Sequence, residues 1–293
     1  MPRHIRVQHP DSIYLITNRC LHSRFLFAPG QSNLLSHTIL QLLAASQARF
    51  NVHIFAFVFL SNHFHLIVRA PLMNLSQFMC HFQTQLAKFI NHLRGRSGTV
   101  FPTRFDAQYI VDDPALLSTT LYLLANPTRA NLVTHPDQWP SLISHHTYRN
   151  GHSPFDTLPL TPLPCFPDLQ TQQRALSPLL DDHCDQLVRR ARQLRKPFLG
   201  PRNVRRTSWR DQPSGYTPER AAPRTLDDRV MGQDPARRRF VDHLRAVFDA
   251  YHAARTPFRG APFEQFCQAA GLPDGTHHPR TSWCVGGAVG VVG

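Results

Sequence analysis

The sequence predicts an α+β fold: an antiparallel sheet with helices on one face, followed by a mostly helical, basic extension. Three observations carry this. Two apolar strands, Phe55 to Leu60 and His63 to Val68, are separated only by the tight turn Ser61-Asn62, which makes an antiparallel hairpin. Two long segments, Leu34 to Phe50 and Leu75 to Leu93, carry apolar residues at three- and four-residue steps, the mark of amphipathic helices. Short β-branched or aromatic runs flank these units, so the order reads β-α-β-β-α-β and then a helix, a ferredoxin-like plan with the far sheet face available for a ligand.

Ser12 to Asn18 is the first strand, and Pro29-Gly30 a loop. Helix one carries Leu35, Ile39, Leu42 and Leu43 on its apolar side. Helix two opens at Asn74, read as its N-cap with Gln77 three residues on, and shows a stripe from Leu75 through Phe78, Met79, Phe82, Leu86 and Ile90. Gly95 and Gly98 stop it. Arg104 to Val111 is the fourth strand. Asp113 followed by Pro114 starts helix three, with Leu117, Leu121 and Leu124 facing the core and Ser118, Tyr122 and Asn126 stacked on another side. Pro127 ends it near Asn126.

Past residue 150 the pattern weakens. The expected division is 1–150 as the catalytic domain, 151–197 a helical extension, 198–234 a flexible basic linker and 235–293 a small helical region with a disordered glycine- and valine-rich tail. Pro154 to Pro167 reads as an extended crossing segment. Gln170 to Leu194 and Ala236 to Ala254 have helical periodicity, while Arg202, Arg205, Arg206 and Arg210 crowd the linker.

At 293 residues with 42% hydrophobic content, the chain can bury a full core. Its formal net charge is +13, built mostly on arginine, whose forked guanidinium suits phosphate. The leading partner is therefore a nucleic acid. The six cysteines are scattered without a Cys-x-x-Cys pair, which reads as reduced thiols in a cytoplasmic protein. Neither a signal-peptide pattern nor a membrane-length apolar run is present in the sequence.

Side chains alternate faces along a strand, so His63 and His65 point one way while Phe64, Leu66 and Val68 point into the core. Two imidazoles on one face of a stiff strand make half of a divalent-metal site, or else two histidines satisfied at a sheet surface. Helix three offers Asn126 as an amide ligand and Tyr122 as a phenol. Metal, phenol and a basic surface together suggest phosphodiester chemistry with tyrosine as nucleophile. Tyr122 is alternatively a helix tyrosine lying over the sheet, and Asn126 a helix-end cap before proline.

These residues also carry a resemblance. Leu60-Ser61-Asn62-His63-Phe64-His65-Leu66-Ile67-Val68 resembles the HUH motif of single-tyrosine transposases, and Tyr122-Leu123-Leu124-Ala125-Asn126-Pro127-Thr128-Arg129-Ala130-Asn131-Leu132-Val133 resembles the signature of their REP-associated branch. The likeness spans roughly residues 5 to 150. It departs at Leu60 and Ser61, where Met and Pro are usual, and at Asn131, where Gly is usual. It implies a domain that binds single-stranded hairpin DNA and, with a magnesium or manganese ion, cleaves it through a 5′-phosphotyrosine. His63, His65 and Asn126 would then be ligands and Tyr122 the nucleophile. Arg19, Arg69, Arg104 and Arg129 are candidate DNA contacts, each also readable as a solvated charge. The resemblance implies a cytoplasmic, nucleoid-associated enzyme acting as monomer or homodimer, with no protein partner. Two other readings remain: a hairpin DNA- or RNA-binding protein without cleavage, and a metal-dependent nuclease that uses water.

Overall fold

The computed structural model describes residues 7–152, 158–214 and 227–255. A five-stranded sheet in the order β2-β3-β1-β4-β5 forms its centre. The strands are β1 (Ile13–Arg19), β2 (His53–Phe59), β3 (His63–Arg69), β4 (Asp106–Ile110) and β5 (Val230–Met231). The first four pair antiparallel as the sequence predicts, and β5 joins β4 in parallel.

On one face lie α1 (Leu34–Phe50) and α2 (Leu75–Leu93), which bury Ile39, Leu43, Phe78, Phe82, Leu86 and Ile90 against Tyr14, Ile16, Phe64, Leu66 and Val68. The alternation along β3 thus holds. α1 ends where Asn51 turns left-handed at φ 49°, a conformation its short polar side chain tolerates. Asn74 flanks α2 but does not cap it. Its amide donates to Phe50 O instead, and the Leu75 N–H donates to Gln8 Oε1, so the orphan helix donor is met from the N-terminal segment.

The second face is covered as well. α3 (Asp113–Leu124), α5 (His145–Asn150) and α6 (Leu169–Gln193) bury Leu116, Leu123, Leu124, Tyr148, Leu176 and Leu180 against Leu15, Phe55, Val58 and Ile67. The predicted open face is therefore reduced to a pocket. The cause lies in β2, where the register shifts between Ile54 and Ala56 and the run His-Ile-Phe-Ala-Phe-Val-Phe is apolar on both sides.

α3 begins one residue earlier than expected. Asp112 is the N-cap, its carboxylate accepting from Ala115 N at 2.8 Å, and Pro114 follows at the second helical position. Its buried side is Leu116, Thr119, Thr120, Leu123 and Leu124, with Leu117 and Leu121 only half-buried. A short turn of helix, α4 (Asn126–Arg129), continues past Pro127.

The expected linker contributes α7 (Pro201–Arg206), which buries Val204, and β5, which buries Val230; its residues 215–226 lie outside the described residues, as does the tail. α8 (Ala236–Arg255) returns to the first core through Val241, Leu244, Val247 and Phe248. Cys20, Cys165 and Cys184 are free thiols, whereas Cys80, expected to be reduced with the others, is disulfide-bonded. Among the described residues no helix is long and apolar enough to cross a membrane.

Candidate metal and tyrosine site

Strand parity and register build the site. β1 runs antiparallel to β3 with Thr17 opposite His65 and Arg19 opposite His63, so all four side chains share a sheet face. Gln108 of β4 lies beside them. α3 crosses above and presents Ser118, Thr119 and Tyr122, while Asn126 opens α4. These residues, with Leu15 and Met231, line one cavity of about 540 Å³. The four residues singled out for chemistry, His63, His65, Tyr122 and Asn126, thus converge from three elements, β3, α3 and α4.

Hydrogen bonds set the imidazoles. His63 Nδ1 lies 2.6 Å from Asn62 Oδ1. The Asn62 amide nitrogen donates to Ser23 O, so its oxygen faces the ring. An amide oxygen only accepts, so His63 carries its proton on Nδ1 and leaves the Nε2 lone pair free. His65 Nδ1 meets Thr17 Oγ1 at 2.8 Å, again leaving Nε2. Burial holds both rings neutral: His63 is lowered to about 3, with His65 and Arg19 adding to the effect, and His65 to about 4, with Arg19 adding. Asn126 is buried at 7% exposure on the same cavity wall.

Two neutral imidazole nitrogens and one amide oxygen around one cavity fit a divalent cation of mixed nitrogen and oxygen preference. Manganese suits that set better than magnesium, which favours oxygen alone. Tyr122 is 37% exposed on the cavity wall, its ring edge-on to His65 at 6.3 Å between centroids. The Arg129 guanidinium lies 4.5 Å over the tyrosine ring and restrains it by a cation–π contact.

The basic candidates divide. Arg19 lines the cavity and Arg129 touches its tyrosine. Arg69 stands at the far end of β3, donating to His53 Nδ1 at 3.1 Å, and does not reach the site. Arg104 lines a different cavity of about 460 Å³ beside α2, together with Lys88 and Asn91. Thr17, Asn62 and Gln108 were not singled out from the sequence, although Thr17 shares strand parity with Arg19 and Asn62 adjoins His63. Asn131, which stands where Gly is usual in the resembled signature, adopts the left-handed conformation at φ 54°, one that Asn tolerates better than most residues.

No family model matches the chain, and no curated protein matches it. A solved structure of a REP-associated tyrosine transposase bound to a REP hairpin is similar over 53% of this chain and 90% of that one, at 19% identity and a TM-score of 0.42.

Proposed function

We propose that the protein is a DNA strand transferase of the single-tyrosine transposase type, acting on single-stranded DNA beside hairpin-forming palindromes in the cytoplasm. What supports this is the convergence of His63, His65, Tyr122 and Asn126 on one cavity, in a chain of net charge +13. The two motifs quoted above supply the same four residues.

The phenol is the nucleophile. Tyr122 Oη attacks the scissile phosphorus, a P–Oη bond forms and the bond from phosphorus to the 3′ oxygen breaks. The phenol loses one proton and the departing 3′ oxygen gains one. A 5′-phosphotyrosine and a free 3′-hydroxyl result, and because the phosphodiester's energy is kept, attack by another 3′-hydroxyl rejoins DNA without an external energy source. A magnesium or manganese ion held by His63, His65 and Asn126 would neutralise charge on the phosphate and hold it in place. Arg19, facing the cavity beside His63, is suited to a non-bridging phosphate oxygen. Arg129 keeps the tyrosine ring in one orientation.

The test compares wild type with Tyr122→Phe on labelled hairpin oligonucleotides with manganese. The expected result is cleavage by wild type alone, with hairpin binding retained by both. Cleavage that survives in Tyr122→Phe would overturn the reading in favour of a water-using nuclease, and binding without cleavage by either would leave a binding protein.

A further inference from the structure

Outside the cavity stands a second set of metal-type donors, none of which lines it. A single helical turn, Pro136–Gln138, brings Asp137 beside His135, and α5 opens with His145. Asp137 Oδ2 lies 3.0 Å from His135 Nδ1, and Oδ1 lies 2.9 Å from His145 Nδ1. One donor atom from each of the three residues falls within 4.8 Å of the other two.

His145 is the informative member. Its side chain is fully buried, yet neither ring nitrogen has a hydrogen-bond partner. The 2.9 Å approach to Asp137 is therefore a contact without hydrogen-bond alignment. A nitrogen and a carboxylate oxygen so close, with no proton aligned between them, are arranged as two ligands of one cation. Ligand bonds of about 2.0–2.1 Å in a tetrahedral site set neighbouring donors about 3.3 Å apart; the two Asp137 oxygens lie 3.0 and 2.9 Å from the two rings, and the three donors fall within 4.8 Å, a set that a small closure would bring round one ion.

The surroundings agree. His135 Nδ1 accepts from the Asp137 backbone N–H at 3.3 Å, a long bond that a bound cation would replace. Its other nitrogen, Nε2, turns to Asp181 Oδ1 at 3.3 Å, and Asp181 is held in turn by Arg149. A ligating histidine backed by a carboxylate in this way has its ring orientation fixed.

We infer that His135, Asp137 and His145 form a second divalent-metal site, of the two-imidazole, one-carboxylate kind that takes zinc. His135 and Asp137 reach solvent, at 25% and 44% exposure, so an ion has a way in. The site is a clip. It ties the turn at 136–138 to α5 and, through Asp181, to α6, next to α4 and its Asn126. It needs no part of the transferase chemistry.

The experiment uses untagged full-length protein carrying His63→Ala and His65→Ala, which removes the cavity pair. The protein is stripped with chelator, dialysed against zinc chloride and assayed for zinc per chain and for melting temperature. We expect one zinc per chain and a higher melting temperature with zinc, both lost on adding Asp137→Asn or His135→Gln. Asp137 is half exposed, so its change spares the fold and avoids removing the buried His145. Failure of the histidine-pair variant to retain zinc would overturn the inference, as would equal retention after Asp137→Asn and His135→Gln. Neither result bears on Tyr122.

Discussion

Asn62 accepts from His63 Nδ1 and Thr17 meets His65 Nδ1, so each imidazole keeps Nε2 for a ligand. Loss of such a supporting contact lowers metal affinity by about 10- to 100-fold. Asn62→Ala should do so in a calorimetric manganese titration, and unchanged affinity would show that the amide positions nothing. Acid should act on the metal-free fold through the same pair. Both histidines sit below their ordinary 6.5, His63 at about 3 and His65 at about 4. As pH falls through 6.5 the unfolded chain takes up protons there that the folded chain refuses, so stability is full above 6.5 and declines toward pH 4. Urea midpoints at pH 7.5 and 5 should differ less in a His63→Gln/His65→Gln variant than in wild type; equal losses would contradict this. At this scale the sequence was legible wherever spacing alone decides direction: period two for the histidines, period four for Tyr122 and Asn126. Arg69 and Arg104 stand away from the cavity, which charge alone does not tell, because it does not say which end of a strand or which side of a sheet a side chain serves.

The elements around the cavity depend on one close approach. β5 lies against β4 and puts Met231 into the cavity, and Gly232 follows it. A Cβ at Gly232 would stand 2.3 Å from Val111 Cγ2 and 2.8 Å from Asp112 Oδ2. Asp112 is the cap of α3, the helix carrying Tyr122, so a clash there disturbs both strand and helix. Gly232→Ala should cost about 1–3 kcal/mol in denaturant unfolding; a neutral outcome would mean that β5 does not dock as described. β5 could not be foreseen. It is two residues long and sits in an arginine- and proline-rich stretch whose composition reads as linker. Helices α1, α2, α6 and α8, whose apolar stripes are long, were legible nearly to the residue.

Across the whole molecule, two cores clasp one sheet, and the C-terminal extension supplies part of each. The continuous apolar run in β2 already carried that signal, because a strand covered on one side alternates. Leu180 of α6, 2% exposed, packs in the second core, so Leu180→Ala should lower the stability of the entire fold by about 2–5 kcal/mol, read as a single shifted transition in calorimetry. A separate low-temperature transition for the extension would contradict that. The most direct measurement of the central claim is mass spectrometry of the protein after reaction with a hairpin oligonucleotide and manganese. The account predicts a nucleotide joined through phosphate to the peptide containing Tyr122, absent from Tyr122→Phe and from His63→Ala/His65→Ala. Cleaved DNA with no protein adduct, or an adduct on another residue, would contradict it.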